Sequence, residues 1–317
     1  MLEIGGYIEL DKYRLPMLHG DAIKLNCGRN ALAYLIESKN ITKLYIPKFN
    51  CDCITDLCKR MNVDYDTYSI DTNFKPIFNS KLNKDEYLYL INYYGQISNE
   101  EIKVYKDKYK NLIVDNAQAY FQMPIEGIDT LYTCRKFFGV SDGGILYTDL
   151  LLNRELEVDE SFNRMRFVLG RFERNASDFY LESSKNNDLF DVEPVKYMSK
   201  LTDNLLHGID YDYVGKKRTT NFEYLNVVFK DINQLQLCTP RGAFMYPLLI
   251  SNGAEIRKEL QQKKIYIPVL WPNVLNECSE DSIEYNYAKN ILPLPCDQRY
   301  SEEEMEYMSK LILERMV

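Results

Sequence analysis

Asp115 closes a short apolar run, Leu112-Ile113-Val114, and is followed by Asn116, Ala117 and Gln118. A carboxylate at the carboxyl end of a strand stands where open α/β sheets meet their ligands. Taken alone, the tetrapeptide reads first as a turn or a cap. Lys136 lies in Tyr132-Thr133-Cys134-Arg135-Lys136-Phe137-Phe138-Gly139, ahead of Asp142-Gly143-Gly144. Flanking aromatics would partly desolvate its amine and lower its pKa toward the neutral nucleophile that attacks a carbonyl. Alone, it reads first as a snorkelling surface lysine. Cys27-Gly28-Arg29-Asn30-Ala31-Leu32 reads as a strand-to-helix turn. Its free N–H groups would make an anion cradle, with the glycine permitting close approach; one glycine by itself marks only a helix start. Together, in the order cradle, strand-end acid, lysine before a glycine pair, the three fit a pyridoxal phosphate site. The cradle would take the phosphate, the carboxylate the pyridinium nitrogen and the lysine the imine.

Positioning these groups requires an α/β domain, and residues 21 to about 150 alternate short β-rich runs with polar-faced helical stretches. The pattern predicts helices over Ala31 to Glu37, Cys53 to Met61 and Glu100 to Tyr109. Strands are predicted over Lys43 to Pro47, Tyr87 to Asn92, Leu112 to Val114, Leu131 to Thr133 and Ile145 to Thr148. Residues 153 to 195 are polar and charge-rich and predict a helix followed by an irregular connection. A long helix from Tyr211 to about Lys230 leads into a second unit. That unit comprises a strand over Tyr246 to Ile250, a helix over Ala254 to Lys263, a strand over Ile265 to Leu270 and a closing helix from about Glu302. Ser301 and Glu304 form the capping box of the last helix. The expected division is a large α/β domain with connecting helices over 1–208 and a small α+β domain over 209–317.

Composition narrows the function. The 317 residues are 45% apolar and 27% charged, which is globular. A net charge of −8 argues against a general nucleic-acid or anionic-membrane binder. No window approaches the ~18 apolar residues of a membrane helix, and Met1 to Arg14 carries charges where a signal peptide needs an apolar stretch. The expected location is therefore cytoplasmic. Eight cysteines fall far below the ~8% of a disulfide scaffold and read as reduced thiols. Only His19 and His207 are histidines, which excludes a multi-histidine metal site. Cys51-Asp52-Cys53 with Cys58 lacks a second ligand pair at zinc-like spacing, so no metal is expected.

Several blocks resemble those of the DegT/DnrJ/EryC1/StrS aminotransferases, nearly end to end. Gly28-Arg29-Asn30-Ala31-Leu32 is similar to that family's glycine-threonine-x-alanine-leucine helix start. Tyr94-Gly95-Gln96 is similar to its tyrosine-glycine-glutamine turn, and Asp115-Asn116-Ala117-Gln118-Ala119 to its aspartate-x-alanine-glutamine-alanine motif. Lys136 keeps the family's spacing to an acidic-glycine-glycine turn, and Tyr246-Pro247-Leu248-Leu249, Ile265 through Trp271 and Leu292-Pro293-Leu294-Pro295 resemble its later blocks.

The resemblance implies a fold type I pyridoxal phosphate-dependent transferase, aspartate aminotransferase-like. It has a large mixed-sheet α/β domain and a smaller C-terminal α+β domain. It implies a homodimer that moves an amino group from an amino acid donor, glutamate by expectation, to a keto-sugar carried on a nucleotide. Surface polysaccharide or secondary-metabolite sugars would be the products. Lys136 would be the Schiff-base lysine and proton shuttle, and Asp115 the partner of the ring nitrogen. Gln118 would lie near the ring's phenolic oxygen, and Gly28 with the amides of Arg29 and Asn30 would meet the phosphate. Thr133 is the available upstream hydroxyl; where the family has an aromatic over the ring, after Ile46-Pro47, this sequence offers Phe49 or Cys51, and alignment favours Cys51. Two other readings stay open on the residues: a pyridoxal phosphate-dependent sugar dehydratase or non-sugar aminotransferase, and a non-catalytic sugar-nucleotide binding protein that kept the fold.

Overall fold

Asn30 to Ile36 are buried without interruption in the first helix, so that helix packs on every side instead of along one stripe. The computed structural model describes residues 4–316. In chain order the first unit runs β1 (Ile23–Leu25), α1 (Gly28–Lys39), β2 (Lys43–Pro47), α2 (Asp52–Met61), β3 (Asp64–Ile70), β4 (Pro76–Ile77) and β5 (Glu86–Ile91). It continues through α3 (Asn99–Tyr109), β6 (Leu112–Asp115), β7 (Asp129–Thr133), β8 (Gly144–Tyr147), α4 (Arg166–Glu173), α5 (Tyr180–Leu189) and α6 (Lys200–Leu206). Then follow α7 (Tyr211–Phe229), β9 (Met245–Leu249), α8 (Gly253–Gln262), α9 (Val274–Glu277), α10 (Ile283–Asn290), β10 (Ile291–Pro295) and α11 (Glu302–Leu313).

Strands one to eight form a single sheet in the order β1-β8-β7-β6-β5-β2-β3-β4. Strands β3, β2, β5, β6 and β7 are parallel neighbours, whereas β8 is antiparallel to both β7 and β1. Two reversals restore direction, so β1 runs with β7. The carboxyl ends of β1, β2, β5, β6 and β7 therefore share one sheet edge, where doubly wound folds gather ligand-binding groups. Gly144 opens β8 at that same edge, opposite Leu25 and Thr133. A Cβ there would lie 2.4 Å from the Cys27 carbonyl carbon and 2.9 Å from the Gly28 nitrogen, so only glycine lets the strand pass beneath the start of α1.

A second apolar core joins α7 (Phe222, Leu225), β9 (Tyr246, Leu248), β10 (Leu292, Leu294) and α11 (Met305, Met308). Val274, Tyr287 and Ala288, from α9 and α10, pack instead into the first core. Glu304 reaches back to accept from the Ser301 amide at 2.7 Å, as the capping sequence predicts. No helix among the described residues is long and apolar enough to cross a membrane.

Two expected elements come out differently in the structure. Ile265 to Leu270 forms no strand and joins no ladder among the described residues; the partner of β9 is β10. Pro268 removes a ladder donor from the expected strand. In the pair that does form, Pro247 faces Pro293, so both missing N–H groups fall on one rung that needs none. Residues 153 to 195 fold into two helices rather than one; α4 buries no residue and α5 only Asn186, which is why apolar periodicity did not mark them.

Behind the sheet edge, His19 is fully buried between Tyr120 and Tyr132. Its Nε2 lies 2.8 Å from the Tyr120 carbonyl and its Nδ1 3.1 Å from the Tyr147 hydroxyl. Burial pulls its pKa down to about 4 from 6.5, against the Tyr120 hydrogen bond, which favours the cation. The native state thus binds this proton less tightly than the unfolded chain does. Stability is fully present above pH 6.5 and falls as the pH drops toward 4, by about 3 kcal/mol from this residue. Urea denaturation over that window is expected to show the loss, and His19→Gln to flatten it; equal slopes in the two proteins would contradict the assignment.

Candidate active site

Asp115 ends β6 with its carboxyl buried among polar partners. Its Oδ1 accepts from the Ala117 amide at 2.7 Å and its Oδ2 from the Tyr89 hydroxyl at 2.6 Å. Burial pushes the carboxyl up; the Lys136 ammonium, the Tyr89 hydroxyl and the Ala117 amide pull it back in part. The Lys136 charge is the largest of these opposing effects. Burial, then the Asp115 charge, drives the Tyr89 phenol well above its usual range, so Tyr89 remains a donor.

Lys136 stands on the turn leaving β7. The amides of Phe137 and Phe138 both donate to the Cys134 carbonyl, at 3.0 and 2.9 Å, and the Cys134 amide to the Gly143 carbonyl at 3.1 Å. From the far side, Arg218 and Gln298 donate to the Phe137 carbonyl at 3.1 and 2.8 Å. Arg218 also lies 4.6 Å over the Phe137 ring, and burial lowers its pKa to about 10. The desolvation expected from the aromatic flanks does not occur: Phe137 and Phe138 turn into the core and leave Lys136 exposed, its Nζ 5.4 Å from the Phe244 ring centroid.

Gly28 begins α1 after the N-cap residue Cys27. A Cβ on Gly28 would sit 3.6 Å from the Thr133 Cβ, so the glycine and the Thr133 hydroxyl border the same space. The Asn30 amide donates to Cys27 Sγ at 3.4 Å, and the Asn30 side chain bonds Asn26 at 3.0 Å and the Pro194 carbonyl at 2.8 Å. That side chain is a strut. The Arg29 guanidinium turns to Asp191 and to Asn187, whose Oδ1 it meets at 2.8 Å.

Cys51 caps α2 just beyond β2. A hydrogen bond from Cys53 lowers its thiol pKa, burial opposes this, and the Lys136 charge assists. The same contact and burial raise Cys53 well above the thiol range. Gln118 is buried, and its Oε1 accepts from the Tyr94 amide at 2.8 Å, fixing the carboxamide. A cavity of about 290 Å³ opens beside the turn, lined by Thr133, Arg135, Lys136, Phe167, Asn186 and Asn187 among others. Asp115, Gln118 and Cys51 lie outside that lining. Sequence reasoning found the acid and the amine but missed Tyr89 and Arg135. A tyrosine in mid-strand carries no local mark of a distant partner, and Arg135 differs from a surface arginine only through the helices that fold over it.

No family model matches the sequence, and no curated protein matches it. Solved structures do match in fold. A Streptococcus pneumoniae protein assigned as a sugar aminotransferase, in its pyridoxal phosphate form, superposes with a TM-score of 0.63 at 13% identity. The match covers 92% of this chain and 86% of that one. A sugar aminotransferase of Micromonospora echinospora gives 0.62 at 12% identity, over 93% and 87%. A DegT DnrJ EryC1 StrS aminotransferase of Brucella abortus gives 0.58 at 13% identity, over 92% and 85%. The shared feature is the fold expected from the sequence, a large mixed α/β sheet followed by a smaller unit.

Proposed function

We propose that this protein is a pyridoxal phosphate-dependent aminotransferase, passing an amino group from an amino acid, glutamate by expectation, to a nucleotide-linked keto-sugar. The observation that carries the reading is the placement of Asp115 at the carboxyl end of β6 and of Lys136 on the turn that leaves its parallel neighbour β7, where the ammonium offsets part of the effect of burial on the acid. The donor set suits the cofactor: a primary amine that reacts with an aldehyde, a buried carboxyl for a ring nitrogen, and Gly28 with Thr133 at a helix start for a phosphate. When bound, the cofactor supplies an electron-withdrawing ring that stabilises negative charge on the donor's Cα.

The protein's own groups would do the rest. Lys136, on an exposed turn pinned from behind by Arg218 and Gln298, would hold the cofactor through Nζ. Once released, it would carry a proton between the substrate carbon and the cofactor. Asp115 would keep the ring nitrogen protonated, with Tyr89 and Ala117 fixing the direction of its carboxylate. Gln118, its oxygen already committed to the Tyr94 amide, would offer its NH₂ to the ring's oxygen. Cys51 would stand against the ring face. Residues 1–208 would form the cofactor-binding domain and 209–317 the smaller one. Exposed Leu169, Phe172, Tyr180 and Leu181 on α4 and α5 support a homodimer, to be read by sedimentation. An active monomer would contradict it.

The test is a two-stage assay on purified protein with pyridoxal phosphate. Glutamate is expected to bleach the bound cofactor's visible band and release one equivalent of 2-oxoglutarate. A panel of nucleotide-linked keto-sugars is then expected to restore the band and yield an amino sugar by mass spectrometry. No spectral change with any amino donor would overturn the reading.

A further inference from the structure

We propose that Arg135 is the phosphate-binding side chain of this site, taking the oxyanion of a phosphate ester or diphosphate in the cavity beside Lys136. The proposal rests on the aminotransferase reading for the source of the phosphate, but the anion site itself does not depend on it.

Three guanidinium groups converge here. Arg29 pairs with Asp191, and Arg164 with Asp159 at 2.5 Å. Arg135 has no such partner: among the described residues no carboxylate lies within ion-pair distance of it. Its Nε is sealed from solvent without any hydrogen-bond partner. Among the described residues its one hydrogen bond is long, 3.4 Å, to an Asn187 Oδ1 that Arg29 already occupies at 2.8 Å. The guanidinium lies 4.6 Å over the Phe190 ring, with Arg164 at 5.4 Å from the same ring. Asp142, whose charge acts on it, is committed to the Ser199 amide at 2.8 Å and the Ser199 hydroxyl at 2.9 Å.

A half-buried cation with an orphaned donor and two like-charged neighbours is costly unless an anion completes it. Burial and the charges of Arg29 and Arg164 pull the Arg135 guanidinium below its usual range, while Cys27 and Asp142 oppose them. The Arg135 charge in turn acts on the thiol of Cys27, the N-cap of α1, where the helix dipole also favours negative charge. Arg135 lines the cavity together with Thr133 and Lys136, so an anion bound there would sit beside the reactive amine. The planar fork of guanidinium donors matches phosphate oxygens bidentately.

Two sources carry this chemistry: the cofactor's phosphate and the diphosphate of a nucleotide-linked sugar. Full-length apo protein and its Arg135→Gln and Arg135→Lys variants separate them. Pyridoxal phosphate is titrated against pyridoxal by absorbance, and a nucleoside diphosphate against its nucleoside by calorimetry. Inorganic phosphate is followed by thermal unfolding. In Arg135→Gln, affinity for one of the phosphate ligands is expected to fall ~10–100-fold, with its phosphate-free counterpart unchanged. The ligand that loses affinity names the source. Inorganic phosphate is expected to raise the melting temperature of the parent and not of Arg135→Gln. Arg135→Lys, which keeps the charge and loses the fork, is expected to fall between them. If Arg135→Gln does not fold, the Lys variant carries the test, with reduced phosphate affinity and unchanged binding of pyridoxal and nucleoside. Unchanged affinity for both phosphate ligands would overturn the proposal, and a normal visible band in that variant would leave the aminotransferase reading intact. Phosphate stabilisation that depends on Arg135, in a parent that forms no Lys136-dependent band, would sustain the anion site and end the aminotransferase reading.

Discussion

Lys136→Ala, mixed with pyridoxal phosphate, is expected to show no visible band beyond that of the free cofactor and to lose at least ~10³-fold in transamination rate. The variant is a clean probe because the side chain is exposed and packs into neither core. The Lys136 Nζ lies 5.4 Å from the Phe244 ring centroid. The turn that carries it is held by main-chain groups, the Cys134 carbonyl on one side and the Phe137 carbonyl on the other. Stability in urea is accordingly expected to change by no more than about 0.5 kcal/mol. Lys136→Arg separates charge from covalent chemistry, since it keeps a cation near Asp115 but offers no amine to an aldehyde. An active Lys136→Arg would show that position 136 acts only through its charge, and the proposed role would be wrong.

How far the site could be read from sequence depended on how local each signal was. Asp115 and Thr133 were legible because each ends an apolar run, and in a doubly wound sheet the end of a strand is already a position in space. Gly28 was legible as a helix start, and α1, β2 and β6 appear within one to three residues of their expected bounds. The strands β3 and β4 were not seen, because Asp64-Tyr65-Asp66-Thr67-Tyr68 alternates weakly and lies toward the sheet's exposed edge. The strand expected over Ile265 to Leu270 failed for a related reason. Its apolar alternation is real, with Ile267 buried, but pairing depends on a neighbour that sequence spacing does not supply. Arg135 was hidden more deeply. Its lack of a partner arises only when α4 and α5, themselves nearly featureless in apolar pattern, bring Phe167, Asn186 and Asn187 against it.

Asp115→Asn is expected to separate stability from chemistry. The folded protein holds the Asp115 proton more tightly than the unfolded chain does, since burial is the largest influence on the carboxyl and Lys136, Tyr89 and Ala117 offset only part of it. A raised carboxyl pKa contributes stability that is present below the ordinary value of 3.8 and lost as the pH rises through the folded value. At neutral pH the ionised group is therefore a burden on the apo protein, and asparagine, which does not titrate, removes it while keeping an acceptor for the Ala117 amide. Apo Asp115→Asn should melt above the parent at pH 7, with the difference closing as the pH falls. With the cofactor the balance reverses. A protonated ring nitrogen is the cation that this carboxylate lacks, and without the acid the ring withdraws electrons poorly from the donor's Cα. The rate is expected to drop roughly 10²–10³-fold, the scale of one preorganised electrostatic contact, while the Lys136-dependent visible band persists. Tyr89→Phe, which removes the 2.6 Å donor to Oδ2, should shift the carboxyl further up and reproduce part of the loss. An Asp115→Asn protein that is less stable than the parent when empty and as fast when loaded would show that the carboxyl serves the fold and not the reaction.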